Sequence, residues 1–248
     1  IIFAIPYETD FTLIGTTDAE QADPSIKPIC TPEEKDYLCA FASQYFKKPI
    51  TAADIVWSYS GVRPLYDDGA SSATAATRDY TLKVDTTGGA PMLNVFGGKI
   101  TTYRRLAEHA LDKIMPFFGA PSKAWTAGVA LPGGDFLVGD VARLIAEVQA
   151  KYGFLSEAWA QRLIRGYGTE AVQILGDATS AADLGQDFGA TLTAREVAWL
   201  MHKEFARVAE DVVWRRTKLG LRLSPEQIAT LDAWMKAQGV KRQISAAE

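Results

Sequence analysis

The stretch Pro91-Met92-Leu93-Asn94-Val95-Phe96-Gly97-Gly98-Lys99-Ile100-Thr101-Thr102 decides how this chain is read. Its first half has the apolar and β-branched texture of a strand. Its second half leads into a helix with Tyr103, Leu106, Ala110, Ile114 and Phe117 at the apolar positions. A strand, a glycine turn and a helix N-terminus in succession present backbone N–H groups and the positive end of a helix to something negative. A nucleoside-triphosphate loop is rejected, because it needs Ser or Thr directly after the lysine and a further glycine at a position held here by Leu93, whereas Ile100 follows Lys99. On pattern alone a tight strand-to-helix turn and a cofactor contact are equally open.

Upstream of this stretch, strand character returns at Tyr80–Val84 and at Asp54–Leu65. At the start, Ile1–Tyr7 and Phe11–Thr17 have the spacing of an antiparallel hairpin. Ile1-Ile2-Phe3-Ala4-Ile5 reads as a strand already under way, which predicts a piece of a longer protein. Thr31-Pro32-Glu33-Glu34 supplies an N-cap, a proline at the first helical position and a capping-box glutamate. The stripe Leu38, Phe41, Ala42, Tyr45 then predicts a helix over about 32–46. Downstream of Gly119-Ala120-Pro121-Ser122 strands give way to helical signals, with Leu131-Pro132-Gly133-Gly134 as a linker turn, so a domain boundary is expected near 120–130. Helices are expected at about 138–151, 156–166, 169–175, 193–217 and 225–237, with Thr193/Glu196 and Ser224/Gln227 as capping boxes.

Composition narrows the function classes. The 248 residues are 48% hydrophobic and 23% charged, with a net charge of −4, which is a soluble, globular balance that argues against a nucleic-acid surface. No apolar run approaches the roughly 18 residues of a spanning helix, and no signal peptide opens the chain, so an integral membrane protein is not expected. Cys30 and Cys39 are too few for a disulfide framework and suggest a reducing compartment. His109 and His202, the two histidines, lie at helical spacing and read as surface or half-buried side chains; no metal-ligand spacing or Ser-His-Asp set can be built from them. Trp159, Trp199, Trp214 and Trp234 sit at apolar helical positions and read as core. Trp214-Arg215-Arg216-Thr217-Lys218 reads first as a basic helix end facing the helix dipole, and second as a contact with an anionic membrane. Arg63 stands where an aromatic strand ends, between Gly61 and Pro64, and Arg78 precedes Asp79-Tyr80. Such an arginine is either a ligand anchor or a salt-bridged edge residue.

These residues together resemble the C-terminal half of the FAD-dependent, respiratory glycerol-3-phosphate dehydrogenases, from Ile1 to the last helix. The resemblance rests on Ile5-Pro6-Tyr7, Phe11-Thr-Leu-Ile-Gly-Thr-Thr-Asp18, Asp54-Ile-Val-Trp-Ser-Tyr-Ser-Gly-Val-Arg-Pro-Leu65 and Thr77-Arg-Asp-Tyr80. It continues through Val95-Phe-Gly-Gly-Lys-Ile-Thr-Thr-Tyr-Arg104, Leu131-Pro-Gly-Gly134, Asp183-Leu-Gly-Gln-Asp-Phe-Gly189 and Trp214-Arg-Arg-Thr-Lys218. The family's Gly-rich FAD fingerprint and its active-site histidine, which it places upstream, have no counterpart here. The resemblance implies an α+β fold. Residues 1–124 would form an antiparallel-sheet substrate-binding domain plus the last strand and helix of the FAD domain, and 125–248 an all-α C-terminal domain that contributes no group to hydride transfer.

It further implies oxidation of sn-glycerol 3-phosphate to dihydroxyacetone phosphate by hydride transfer to FAD, with electrons leaving to a quinone. Arg63 would be the catalytic residue, and Arg63, Arg78 and Lys99 would bind substrate, since a phosphate dianion suits always-charged, bidentate donors. Gly97, Gly98, Lys99, Ile100, Thr101 and Thr102 would meet the flavin, with the helix N-terminus stabilising negative charge on its reduced form. FAD would belong to the full-length protein and not be retained by this chain alone. The expected place is the cytoplasm, peripheral on the inner face of the cytoplasmic membrane, with a homodimer and a membrane surface as further partners. Two rivals stay open: a non-catalytic dimerisation or membrane-docking module, and a flavoenzyme acting on an amino acid or a glycerol analogue.

Overall fold

A computed structural model describes residues 2–21, 23, 25–66, 77–119 and 123–245. The chain separates into two compact units, Ile1–Gly128 and Val129–Glu248. The first mixes short helices with small antiparallel sheets, and the second is helical.

In the first unit β1 (Phe3–Tyr7) and β2 (Phe11–Gly15) form the expected hairpin, with Phe3 opposite Gly15 and Tyr7 opposite Phe11. Helix α1 (Pro32–Ser43) begins as its capping box requires: Thr31 Oγ1 accepts from the Glu34 N–H at 3.2 Å, and Glu34 Oε2 accepts from the Thr31 N–H at 2.9 Å. Strands β3 (Tyr80–Asp85) and β4 (Met92–Gly97) pair antiparallel, Tyr80 against Gly97 and Asp85 against Met92. A 3-10 turn at Ile100–Thr102 then leads into α2 (Tyr103–Ile114). Among the described residues the strands form two separate two-stranded antiparallel sheets, β1 with β2 and β3 with β4.

The strand expected over 54–65 does not form. A 3-10 turn at Ala52–Asp54 is followed by backbone without a ladder partner. Extended residues put Trp57 and Tyr59 on one side, where their rings stack at 4.9 Å, but Pro64 has no N–H to give a neighbour. Among the described residues of this unit only Ala42 is fully buried, while Phe3, Ile5, Met92, Val95 and Phe96 remain exposed.

The second unit has a core of its own. Helices α3 (Val141–Lys151), α4 (Glu157–Tyr167), α5 (Ala171–Leu175), α6 (Ala194–Lys203) and α7 (Pro225–Ser245) surround a cluster that includes Leu163, Ile164, Leu175, Leu192, Val197, Leu200, Val212, Leu231 and Met235. All four tryptophans of the helical segment pack against it, as their spacing suggested. The helix expected at 193–217 is broken. Phe205 adopts φ 58°, the Ala206 N–H returns to the Leu200 carbonyl at 3.0 Å, and Asp211 collects the Arg207 N–H at 2.8 Å to open a separate π-helical turn, Asp211–Arg216.

The Thr193/Glu196 capping box is also not made, because Glu196 turns inward and is 1% exposed. Arg162 Nη1 and Nη2 donate to its two oxygens at 2.7 Å each, and the Tyr167 hydroxyl donates to Oε1 at 2.7 Å. That ligation outcompetes a backbone N–H as partner for the carboxylate. Burial and the neighbouring Glu196 carboxylate push the Tyr167 hydroxyl far above its ordinary pKa, so it stays a donor. By contrast Ser224/Gln227 caps α7 reciprocally, at 2.8 and 3.3 Å.

Leu131-Pro-Gly-Gly134 is a turn, with the Gly134 N–H on the Leu131 carbonyl at 2.8 Å, but it does not act as a spacer. The Gly133 carbonyl accepts from the Thr169 N–H at 3.0 Å, and the backbones at Gly133 and Gly168 touch. A Cβ at Gly168 would lie 1.8 Å from the Gly133 oxygen, so only glycine fits.

Candidate functional site

The glycine turn after β4 is where the segments singled out in the sequence converge. Gly97 has φ +67° and Gly98 φ +100°, both in the region that favours glycine. A Cβ at Gly97 would stand 3.2 Å from the Asp79 carbonyl and 3.5 Å from the Pro64 oxygen and the Tyr66 nitrogen. A Cβ at Gly98 would meet the Tyr80 Cβ at 3.2 Å and Leu106 Cδ1 at 3.5 Å. The chain next to Arg63 and the chain next to Arg78 therefore meet at Gly97, two residues before Lys99. These contacts also account for the two glycines by internal packing alone.

Arg63, Arg78 and Lys99 are all exposed. Arg63 is salt-bridged, as one reading of an edge arginine expected: its Nη1 donates to Asp18 Oδ2 at 3.0 Å, with side chains 48% and 62% exposed. Only this one guanidinium nitrogen is engaged by Asp18, which leaves donors for another acceptor. Asp18 was not foreseen as a site residue. It ends the segment Phe11–Asp18, and its partner lies 45 residues away, beyond the reach of any local pattern. The loop carrying it is tied to α1, since the Thr17 hydroxyl donates to Glu34 Oε1 at 2.6 Å while Glu34 Oε2 caps the helix. The Thr17 hydroxyl, then the Thr31 N–H, hold the Glu34 carboxyl below its ordinary pKa.

The flank of the turn is built by α2. Tyr80 OH and His109 Nδ1 are 2.6 Å apart, so His109 is an exposed helical side chain with a β3 partner. Arg104 Nη1 donates to Glu108 Oε1 at 2.9 Å and to Thr126 Oγ1 at 3.2 Å, and Thr126 also donates to Glu108, which lowers the pKa of that carboxyl. At the start of α2, Thr102 N–H and Oγ1 both donate to the Lys99 carbonyl, at 3.0 and 2.8 Å. Lys99, Ile100 and Thr101 are exposed there, Ile100 at 88%. The Thr102 and Tyr103 N–H groups close this turn on the Lys99 and Ile100 carbonyls, so what it presents toward the polar edge of a flavin is the exposed stretch Lys99–Thr101 at the positive end of the helix. No G-x-G-x-x-G for its pyrophosphate occurs in the chain.

The basic segment of the helical unit is tied up within the protein. Arg215 pairs with Asp211 at 2.9 Å and Glu210 at 3.2 Å, Arg216 Nη2 donates to the Glu204 carbonyl at 2.6 Å, and Lys218 Nζ donates to the Trp214 carbonyl. These bonds are the helix-end reading of that segment. Among the described residues no helix is long and apolar enough to cross a membrane.

Two family models match in succession: FAD dependent oxidoreductase over residues 1–104, and the C-terminal domain of alpha-glycerophosphate oxidase over 124–239. The chain is 44% identical, over 95% of its length, to the aerobic glycerol-3-phosphate dehydrogenase of Escherichia coli (strain K12), of which it covers 47%. It is 46% identical, over 96% of its length, to the glycerol-3-phosphate dehydrogenase of Pseudomonas aeruginosa, covering 46% of that protein. It is 38% identical, over 94% of its length, to the D-erythritol 1-phosphate dehydrogenase of Brucella abortus, covering 47%. The chain thus spans about half the length of the curated relatives it matches. With an oxidoreductase segment followed by a glycerophosphate-oxidase-type segment and this identity across nearly all its residues, the chain is similar to about half the length of the glycerol-3-phosphate dehydrogenases.

Proposed function

We propose that this chain forms the substrate-anchoring half of a flavoenzyme that oxidises sn-glycerol 3-phosphate to dihydroxyacetone phosphate and passes the electrons to a quinone. The observation that carries this reading is the convergence of the Arg63 and Arg78 segments on the Gly97–Lys99 turn, within a chain whose relatives bear that name. Arg63 and Arg78 would hold the phosphate dianion, and Lys99 would add a point charge beside it. One of these cations would also polarise the C2 oxygen as its proton leaves for a base and it becomes a carbonyl. FAD, when bound, supplies the acceptor for the hydride leaving C2. Gly97, Gly98 and the turn Lys99–Thr102 would lie along its edge, the positive end of the helix favouring negative charge there.

A second reading keeps the scaffold and lengthens the substrate, since a relative at 38% identity is named for D-erythritol 1-phosphate. Both substrates are phosphomonoesters of a polyol, and a site of three cations suits that group better than it suits a single carboxylate. The enzyme would be peripheral on the inner face of the cytoplasmic membrane. The paired cations of Arg215, Arg216 and Lys218 lend that placement no support.

Purified alone, this chain should carry no flavin absorption band, because the sequence holds no G-x-G-x-x-G for the pyrophosphate. Joined to the upstream half of the enzyme it should be yellow and oxidise glycerol 3-phosphate with an artificial acceptor. Stoichiometric flavin in the chain alone, or a yellow joined protein inert toward both polyol phosphates, would overturn the assignment.

A further inference from the structure

We propose that Asp18 is a positioning residue that holds the Arg63 guanidinium by one edge so that its remaining donors face the substrate phosphate. The inference rests on the reading of Arg63 as a phosphate anchor. Three observations support it. The contact is one-sided: Asp18 Oδ2 takes Nη1 alone at 3.0 Å, which tethers one corner of the fork and leaves its other donors for a second acceptor. Asp18 is itself held, because the neighbouring Thr17 hydroxyl is clamped at 2.6 Å by a glutamate that also closes the capping box of α1. And an ion pair this exposed contributes little to stability, so ordering of the arginine is the property it can supply. A guanidinium that wandered among rotamers would have to be ordered on every binding event, and a fixed carboxylate removes that cost.

A plain edge ion pair and a positioning pair differ in what they move. In the full-length flavin-loaded enzyme Asp18→Asn keeps the shape of the side chain and removes its charge, while Asp18→Glu keeps the charge and shifts it. Loss of an orienting partner typically costs about 10- to 100-fold, so Asp18→Asn should lower kcat/KM for glycerol 3-phosphate by roughly that factor, chiefly through KM. Flavin content and Tm should stay at wild-type values. Asp18→Glu should recover part of the loss. In an Arg63→Ala background, Asp18→Asn should change kcat/KM less than about twofold, because the group it orients is gone.

If Arg63→Ala is damaging but Asp18→Asn is silent, or if the two losses simply add, the positioning role is overturned and the phosphate anchor stands. If Arg63→Ala itself leaves kcat/KM at the wild-type value, the anchor reading falls and this inference falls with it.

Discussion

Asp183 belongs to a segment that the family resemblance singled out, and its chemistry is that of a turn. Its Oδ2 accepts from the Thr179 N–H at 2.8 Å, the Ser180 N–H at 2.9 Å and the Thr179 hydroxyl at 2.9 Å. These bonds hold its carboxyl down to about 2, against 3.8 ordinarily. The folded-state value lies below the unfolded one, so its contribution to stability is complete above about pH 4 and is lost as pH falls through 2. Thermal unfolding from pH 7 to pH 2 should show Asp183→Asn with a lower Tm at neutral pH and a shallower acid decline, the two curves converging at the acid end. Curves that stay parallel throughout would remove Asp183 from the acid sensitivity. In the same segment the Asp187 side chain accepts from the Gly189 N–H at 2.7 Å and Phe188 is buried, so a matching motif here marks fold rather than chemistry.

At the scale of elements, the Leu131–Gly134 turn is fastened to the end of α4 by backbone meeting backbone. Gly168 has φ +54°, and its missing Cβ is what admits the Gly133 carbonyl. Gly168→Ala should cost on the order of 2 to 4 kcal/mol, from left-handed strain plus forced separation of the two segments. Calorimetry would read it as a clear fall in Tm, and an unchanged Tm would mean that the turn does not need the contact. This fastening also shows where local pattern stops. Thr31/Glu34 and Ser224/Gln227 were legible as caps because both partners lie within one turn of sequence. Thr193/Glu196 has the same spacing and misleads, since its carboxylate is claimed by Arg162 34 residues away. The alternating run at 54–65 looked like a strand because alternation reports extended backbone, not a partner strand. Arg63, Arg78 and Lys99 were visible as cations beside turns, but the meeting of their segments at Gly97 and the hold of Asp18 on Arg63 depend on tertiary packing.

Across the whole molecule the two units differ in kind. Val129–Glu248 contains the buried cluster from Val148 to Met235, while in Ile1–Gly128 exposed Phe3, Ile5, Val95 and Phe96 lie on two-stranded sheets, which are marginal without a further layer. On the proposed function, these open apolar faces are where the unit would meet the rest of a flavoenzyme, with the arginine-bearing segments converging on its glycine turn. The most direct measurement is kcat/KM for glycerol 3-phosphate in the full-length, flavin-loaded enzyme carrying Arg63→Ala or Arg78→Ala. Each change should lose on the order of 2 to 5 kcal/mol of transition-state stabilisation, about 30-fold to several thousandfold, with flavin content unchanged. Wild-type kcat/KM in both variants would contradict the account.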